Sequence, residues 1–231
     1  MAAIVGRRAT DPGSTSVTRP DRLLPEALAA GYRRFRSERF AAERERYRQL
    51  GEGGQRPASM IVACSDSRAA PETVFDAGPG ELFVVRNVAG LVPAYAPDPG
   101  LHGASAALEF AVLELRVRSI LVMGHGRCGG IAAALGDAAP FSATDFVGAW
   151  VAGLRALATG LDPADATDPE RRATALEHRS VEHSIGHLRT FPWIRSSEDA
   201  GALALHGAWF DIALGELHVL GSGGWVRIGD A

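Results

Sequence analysis

Three short, unbroken apolar runs constrain the fold of this chain most: Met60–Ala63, Leu82–Val85 and Ile120–Met123. A strand with one wet face alternates apolar and polar residues. A run without alternation suits a strand covered on both faces, as in a parallel sheet. Between the second and third runs, Ser105–Leu115 has helical composition and spacing. Ile131–Leu135, Phe146–Leu157 and Glu170–Leu188 read as further helices, the last with Val181, Ile185 and Leu188 on one face. A polar stretch, Gly160–Pro169, precedes that last helix, and Leu203–Leu205 and Leu217–Leu220 fit closing strands. Strands alternating with helices predict an α/β fold: a mainly parallel central β-sheet flanked by helices. A length of 231 residues suits one such domain.

The N-terminal part is different in kind. Residues 1–24 are small, polar and broken by Pro12, Gly13 and Pro20, and read as a flexible tail. Residues 25–231 form the single domain, and residues 25–50 begin it as a helical arm. Leu28, Tyr32 and Phe35 share a face of that arm, and Phe40 starts a second helix. From Arg33 to Arg48 there are seven arginines against three glutamates. Such a run can meet nucleic acid. With an overall net charge of −3 the expectation is instead a solvated arm that grips another subunit. All 24 basic residues are arginine, which excludes Schiff-base lysine chemistry, pyridoxal phosphate anchoring and a phosphate-loop lysine.

No stretch reaches the 18 or so apolar residues of a membrane span, and the start lacks a signal-peptide apolar run. The expectation is a cytoplasmic protein with no membrane partner. In that compartment thiols stay reduced, so Cys64 and Cys128 point to metal more than to a disulfide.

The chemistry-bearing residues cluster where two expected strands end. The first runs into Cys64-Ser65-Asp66-Ser67-Arg68, the third into His125-Gly126-Arg127-Cys128-Gly129-Gly130. Ligands of open α/β sheets bind beyond the carboxyl ends of strands, so both segments can face one site. His125 and Cys128 stand three apart on a glycine-flanked turn and can chelate one ion, with Cys64 as a third ligand. Two thiolates and an imidazole favour zinc, and three protein ligands leave the open position of a catalytic site. The competing reading is two buried cysteines acting as small apolar residues. A second motif overlaps the first. Gly124-His125-Gly126-Arg127-Cys128-Gly129 satisfies the dinucleotide fingerprint G-x-G-x-x-G, but the acidic residue at a suitable distance, Asp145, introduces a helix where the motif needs it to end a strand. His183 and His187, four apart on an expected helix, could also chelate, yet no third ligand accompanies them.

Together, Cys64-Ser-Asp66-Ser-Arg68 and His125-x-x-Cys128-Gly129-Gly130 resemble the paired signature of the β-class carbonic anhydrases, the plant-like branch above all. The similarity extends through Gln55-Arg56-Pro57, Pro79–Asn87 and Gly103–Leu115 and spans roughly residues 25–222. The resemblance implies one Zn2+ per chain on Cys64, His125 and Cys128, and reversible hydration of carbon dioxide to bicarbonate. It gives Asp66 and Arg68 catalytic roles, Arg68 holding the carboxylate by paired charge-assisted bonds. Asp66 is then also a possible fourth ligand in an inactive form. The substrate would meet Gln55, Phe83, Val88, Phe110 and the Gly129 backbone N–H, although without the resemblance the three apolar residues are core. Relatives assemble through N-terminal helices, so a homodimer or larger homo-oligomer is expected. Two readings stay open beside this one: a carbonyl sulfide or carbon disulfide hydrolase on the same site, and a zinc-stabilised binding protein with no catalytic role.

Overall fold

The computed structural model describes residues 23–136, 139–166 and 168–229. The expected tail therefore lies outside the described residues except for Leu23 and Leu24. The chain divides into two compact units, one ending at Glu52 and one beginning at Gly53.

In the first unit, α1 (Glu26–Ser37), α2 (Arg39–Ala42) and α3 (Arg44–Gly53) succeed one another with short breaks. Phe35, Phe40 and Tyr47 form a cluster with ring centroids 5.2–5.9 Å apart, and Arg36 covers Phe40 at 4.5 Å. Much of the arginine run is spent locally. Arg33 pairs with Glu26, Arg39 with Glu43, and Arg48 with both Glu45 and Glu52. Leu24, Leu28 and Tyr32 stay exposed.

The second unit is built on six strands: β1 (Ser59–Cys64), β2 (Leu82–Asn87), β3 (Ser119–His125), β4 (Ala204–Asp211), β5 (Glu216–Gly221) and β6 (Gly224–Arg227). They lie in the order β2-β1-β3-β4-β5-β6. The first four are parallel, and β5 and β6 add antiparallel at one edge. β1 is flanked by β2 and β3, and five of its six residues are buried. That burial on both faces is why its sequence carries no alternation. Met60 and Val62 point into one core layer with Leu108, Ile120 and Leu188. Ile61 and Ala63 point into the other with Met123 and Ala208.

The helices follow the sequence signals with three instructive departures. After α4 (Pro71–Val74), α5 (Gly103–Glu109) continues into a π-helical turn, Phe110–Glu114, in which the Leu115 N–H reaches the Phe110 carbonyl. α6 (Gly129–Leu135) is followed by α7 (Phe146–Trp150) and α8 (Ala152–Ala158), where one helix over 146–157 is expected; the break falls at the fully buried Val151. The polar stretch holds one turn, α9 (Pro163–Ala166). α10 (Pro169–Leu188) starts where Asp168 accepts the Glu170 and Arg171 N–H groups and Pro169 takes the first turn, a strong start signal. α11 (Pro192–Asp199) precedes β4.

Sheet order places the site. The chain leaves β1 toward β2 on one side, and leaves β3 toward β4 on the other. The carboxyl ends of adjacent β1 and β3 thus flank the topological switch point, where such sheets open a crevice.

Candidate metal centre

Cys64 is the last residue of β1 and His125 the last of β3, so the switch point brings them side by side. Cys128 follows on the turn into α6. That turn needs close approaches: a Cβ on Gly130 would lie 2.8 Å from the Ala89 Cβ, and one on Gly126 would lie 3.1 Å from the Trp209 ring. Arg127 takes a left-handed conformation, φ 57°, which a side chain of its type disfavours. The strain is held by the contacts on either side of it.

The three ligand atoms lie within 4.8 Å of one another, and the two sulfurs are 3.9 Å apart. Tetrahedral zinc, with Zn–S bonds of about 2.3 Å, requires sulfurs about 3.8 Å apart, so the spacing fits. The imidazole is also prepared. His125 Nδ1–H donates to the Gly126 carbonyl at 3.0 Å, which leaves Nε2 with its lone pair, and Nε2 is buried with no hydrogen-bond partner among the described residues. A buried polar atom without a partner is costly unless something binds it. The thiols point the same way. Cys64 is pulled down to about 4 chiefly by its hydrogen bond from Cys128, and Cys128 is pushed well up, first because its thiol donates that bond, then by burial and by the cost of a second charge beside the first. A dication resolves that conflict.

Beside the ligands, Asp66 is gripped by Arg68. Its Oδ1 accepts from the Arg68 backbone N–H at 2.9 Å and from Nε at 3.0 Å, and Oδ2 accepts from Nη2 at 2.7 Å. These bonds hold the carboxyl well below the usual carboxylate range. Arg68 Nη2 also donates to the Arg127 carbonyl at 3.1 Å, tying the first ligand loop to the second. Arg86 braces the same loop from β2, donating to the carbonyls of Cys64 at 2.8 Å and Asp66 at 2.6 Å.

The other expected site residues differ in exposure. Gly129 is exposed, with open space where a Cβ would stand. Val88 borders the ligand turn through Gly130 and is 39% exposed. Phe83 and Phe110 pair with ring centroids 5.9 Å apart, and Phe110 is 46% exposed, so it is not the buried core residue that the sequence alone suggests. Gln55 is exposed, four residues ahead of β1. His183 and His187 lie ring to ring at 4.0 Å, with His187 bonded to the Val92 carbonyl, and join no metal cluster among the described residues. Asp145, the acid that a dinucleotide motif would need, caps α7 by accepting the Gly148 N–H.

Sequence reasoning passed over Glu177. It is 3% exposed on α10, and its Oε1 accepts the Cys128 backbone N–H at 3.1 Å while Oε2 accepts the Trp209 indole N–H at 2.9 Å. A signal existed: Glu177 stands four residues before Val181, so it falls on the helix face marked as apolar.

A Cys2His centre at the switch point of a parallel sheet, beside a clamped aspartate, defines a class of metal site. Comparison with known proteins gives the family. Residues 59–217 match the family model for carbonic anhydrase. β carbonic anhydrase 5, chloroplastic, of Arabidopsis thaliana is 35% identical over 178 residues, covering 77% of this chain and 58% of that protein. A carbonic anhydrase of Pseudomonas aeruginosa is 34% identical over 190 residues, covering 82% and 84%. The chain spans little more than half the length of the plant relative. Among solved structures, the β-carbonic anhydrase CcaA superposes with a TM-score of 0.81 at 27% identity, covering 89% of this chain and 92% of that one. A tetrameric β-carbonic anhydrase of Sordaria macrospora gives 0.75 at 28%, covering 88% and 98%. This chain belongs to the β-carbonic anhydrase family.

Proposed function

We propose that this protein catalyses the reversible hydration of carbon dioxide to bicarbonate and a proton, with one zinc ion per chain on Cys64, His125 and Cys128. The observation that carries the reading is the convergence of three ligand atoms within 4.8 Å, one of them a buried and otherwise orphaned His125 Nε2. Zinc in such a site supplies Lewis acidity, making a water molecule acidic enough to act as a nucleophile.

The chain's own residues do the rest. Asp66 is a hydrogen-bond acceptor at the edge of the ligand cluster, its Oδ2 3.9 Å from His125 Nε2. Held as an anion by Arg68, it would orient the attacking water by accepting a hydrogen bond from it, and would be kept from turning onto a metal held by the three ligands. The exposed Gly129 N–H and the Gln55 amide are the donors assigned to bicarbonate. Val88 and the Phe83–Phe110 pair supply apolar surface suited to carbon dioxide. The protein works as a homodimer or larger homo-oligomer. The exposed Leu24, Leu28 and Tyr32 of the arm support this, as does the tetrameric assembly named for the Sordaria relatives. A cytoplasmic location suits the two free thiols.

The test is a stopped-flow carbon dioxide hydration assay run with metal analysis on the same preparation. About one zinc per chain with turnover supports the reading. Zinc-loaded protein without hydration activity refutes it.

A further inference from the structure

We propose that Glu177 is a positioning residue of the metal centre: its carboxylate holds the Cys128 backbone and the Trp209 indole at once, and so fixes where the Cys128 sulfur points. The proposal rests on the zinc reading above for the identity of the ion.

Glu177 sits on the buried face of α10 with Leu176, Ser180 and Val181. Burying a carboxylate there is unfavourable unless both oxygens are satisfied. Both are, and by N–H donors: Cys128 N–H on Oε1 and Trp209 Nε1–H on Oε2. Only a carboxylate offers an acceptor at each end. An amide would turn its NH2 toward one of the two donors. The requirement is therefore for Glu, not for a polar residue of similar shape.

The two partners are the two walls of the ligand turn. Trp209 pairs across the sheet with Gly124, and its ring packs on Gly126, directly after His125. Cys128 closes the turn on the other side of Arg127. Between them lies the left-handed Arg127, a conformation that the local sequence does not favour and that tertiary bonds must hold. α10 itself is seated hard against β3, since a Cβ on Gly124 would come within 2.8 Å of Val181 Cγ2. Glu177 thus transmits a rigid helix position to the backbone of one ligand, and the 3.9 Å sulfur spacing depends on that backbone. Partners that orient a metal ligand in this way alter affinity by about 10–100-fold when removed.

The experiment uses the full chain, wild type against Glu177→Met, Glu177→Gln and Trp209→Phe. Zinc affinity is measured by competition with a chromophoric chelator. Cobalt(II) is substituted separately, because its thiolate charge-transfer and d–d bands report ligand geometry apart from catalysis. Glu177→Met, close in volume and without an acceptor, is expected to bind zinc about 10–100-fold more weakly, with shifted cobalt bands. Glu177→Gln keeps one acceptor and is expected to lose about three- to tenfold. Trp209→Phe removes the indole donor and the outer ring atoms that pack on Gly126 but leaves the Cys128 bond, so it is expected to lose less zinc affinity than Glu177→Met. If Glu177→Met does not fold, Glu177→Gln decides. Wild-type affinity and cobalt bands in the folded Glu177 variants overturn the proposal. So does an equal loss in Trp209→Phe, which would assign the effect to core packing. Wild-type protein that takes up neither zinc nor cobalt overturns the metal reading, and this proposal with it.

Discussion

Oδ2 of Asp66 lies 3.9 Å from Nε2 of His125, so a carboxylate stands at the edge of the ligand cluster without belonging to it. A free aspartate so near a dication would compete for the fourth position. Arg68 prevents this, because its planar fork meets both oxygens with bonds of 2.7 and 3.0 Å. Charge-assisted bonds of this sort are worth about 1.5–3 kcal/mol, enough to shift a balanced equilibrium at least tenfold. Arg68→Ala should let Asp66 turn onto the metal. Zinc content should hold while hydration activity falls at least about tenfold. Arg68→Lys should restore little, since a point charge does not clamp two oxygens. Near-normal turnover with zinc in place in the alanine variant would show the clamp to be wrong.

The ligand set makes its own prediction. With a sulfur removed, the remaining thiol and imidazole no longer enclose a tetrahedral ion, and a serine hydroxyl is a poor substitute for thiolate. Cys128→Ser should emerge from dialysis against a chelator with almost no zinc, while wild type keeps about one per chain. Stripping wild type with a stronger chelator should abolish activity, and added zinc should restore it. Full occupancy in the serine variant, read by elemental analysis, would remove Cys128 from the site.

The strands that carry the ligands were legible because burial on both faces leaves an unbroken apolar run, and β1 and β3 bear this out. The ligands were legible for a related reason: Cys64 and His125 end those runs, and chemistry at strand ends needs few residues to specify it. Local rules read less well where tertiary contacts decide. Val151 is as apolar as its neighbours, and nothing nearby marks the helix break there; its complete burial between α7 and α8 is a property of the fold. β6 is short, glycine-led and half exposed, so it carries almost no pattern. Glu177 was hidden by averaging, since one acid does not erase an apolar helix face. Its reason lies in Cys128 and Trp209, 49 and 32 residues away.

The arm carries a prediction about assembly. Phe35, Phe40 and Tyr47 satisfy one another, but Leu24, Leu28 and Tyr32 are more than half exposed. Burying three such side chains against another copy is worth several kcal/mol at about 25 cal/mol per Å2. Light scattering on the wild type should give a mass of at least two chains. Leu28→Glu with Tyr32→Glu should lower that mass or make it depend on concentration. An active wild-type monomer would contradict the proposal.

The last prediction concerns acid stability and lies away from the metal. His178, on α10, stacks on Trp225 with ring centroids 4.3 Å apart and meets Trp209 edge-on at 5.1 Å. Its Nε2 is buried without a hydrogen-bond partner among the described residues. Burial, and secondarily the neighbouring His218, lower it to about 4. An unfolded histidine titrates near 6.5. Between those values the unfolded chain binds the proton and the folded chain does not, so stability falls as pH drops from 6.5 toward 4, and the loss is complete below 4. The ring is only partly enclosed, which screens the effect, and the loss by pH 5 should be about 1 kcal/mol. Phenylalanine at this position keeps the stacking and cannot titrate. Urea midpoints at pH 7 and pH 5 should therefore converge in His178→Phe relative to wild type. Equal pH slopes in the two proteins would mean that His178 is protonated in the fold at no cost, and the burial argument fails.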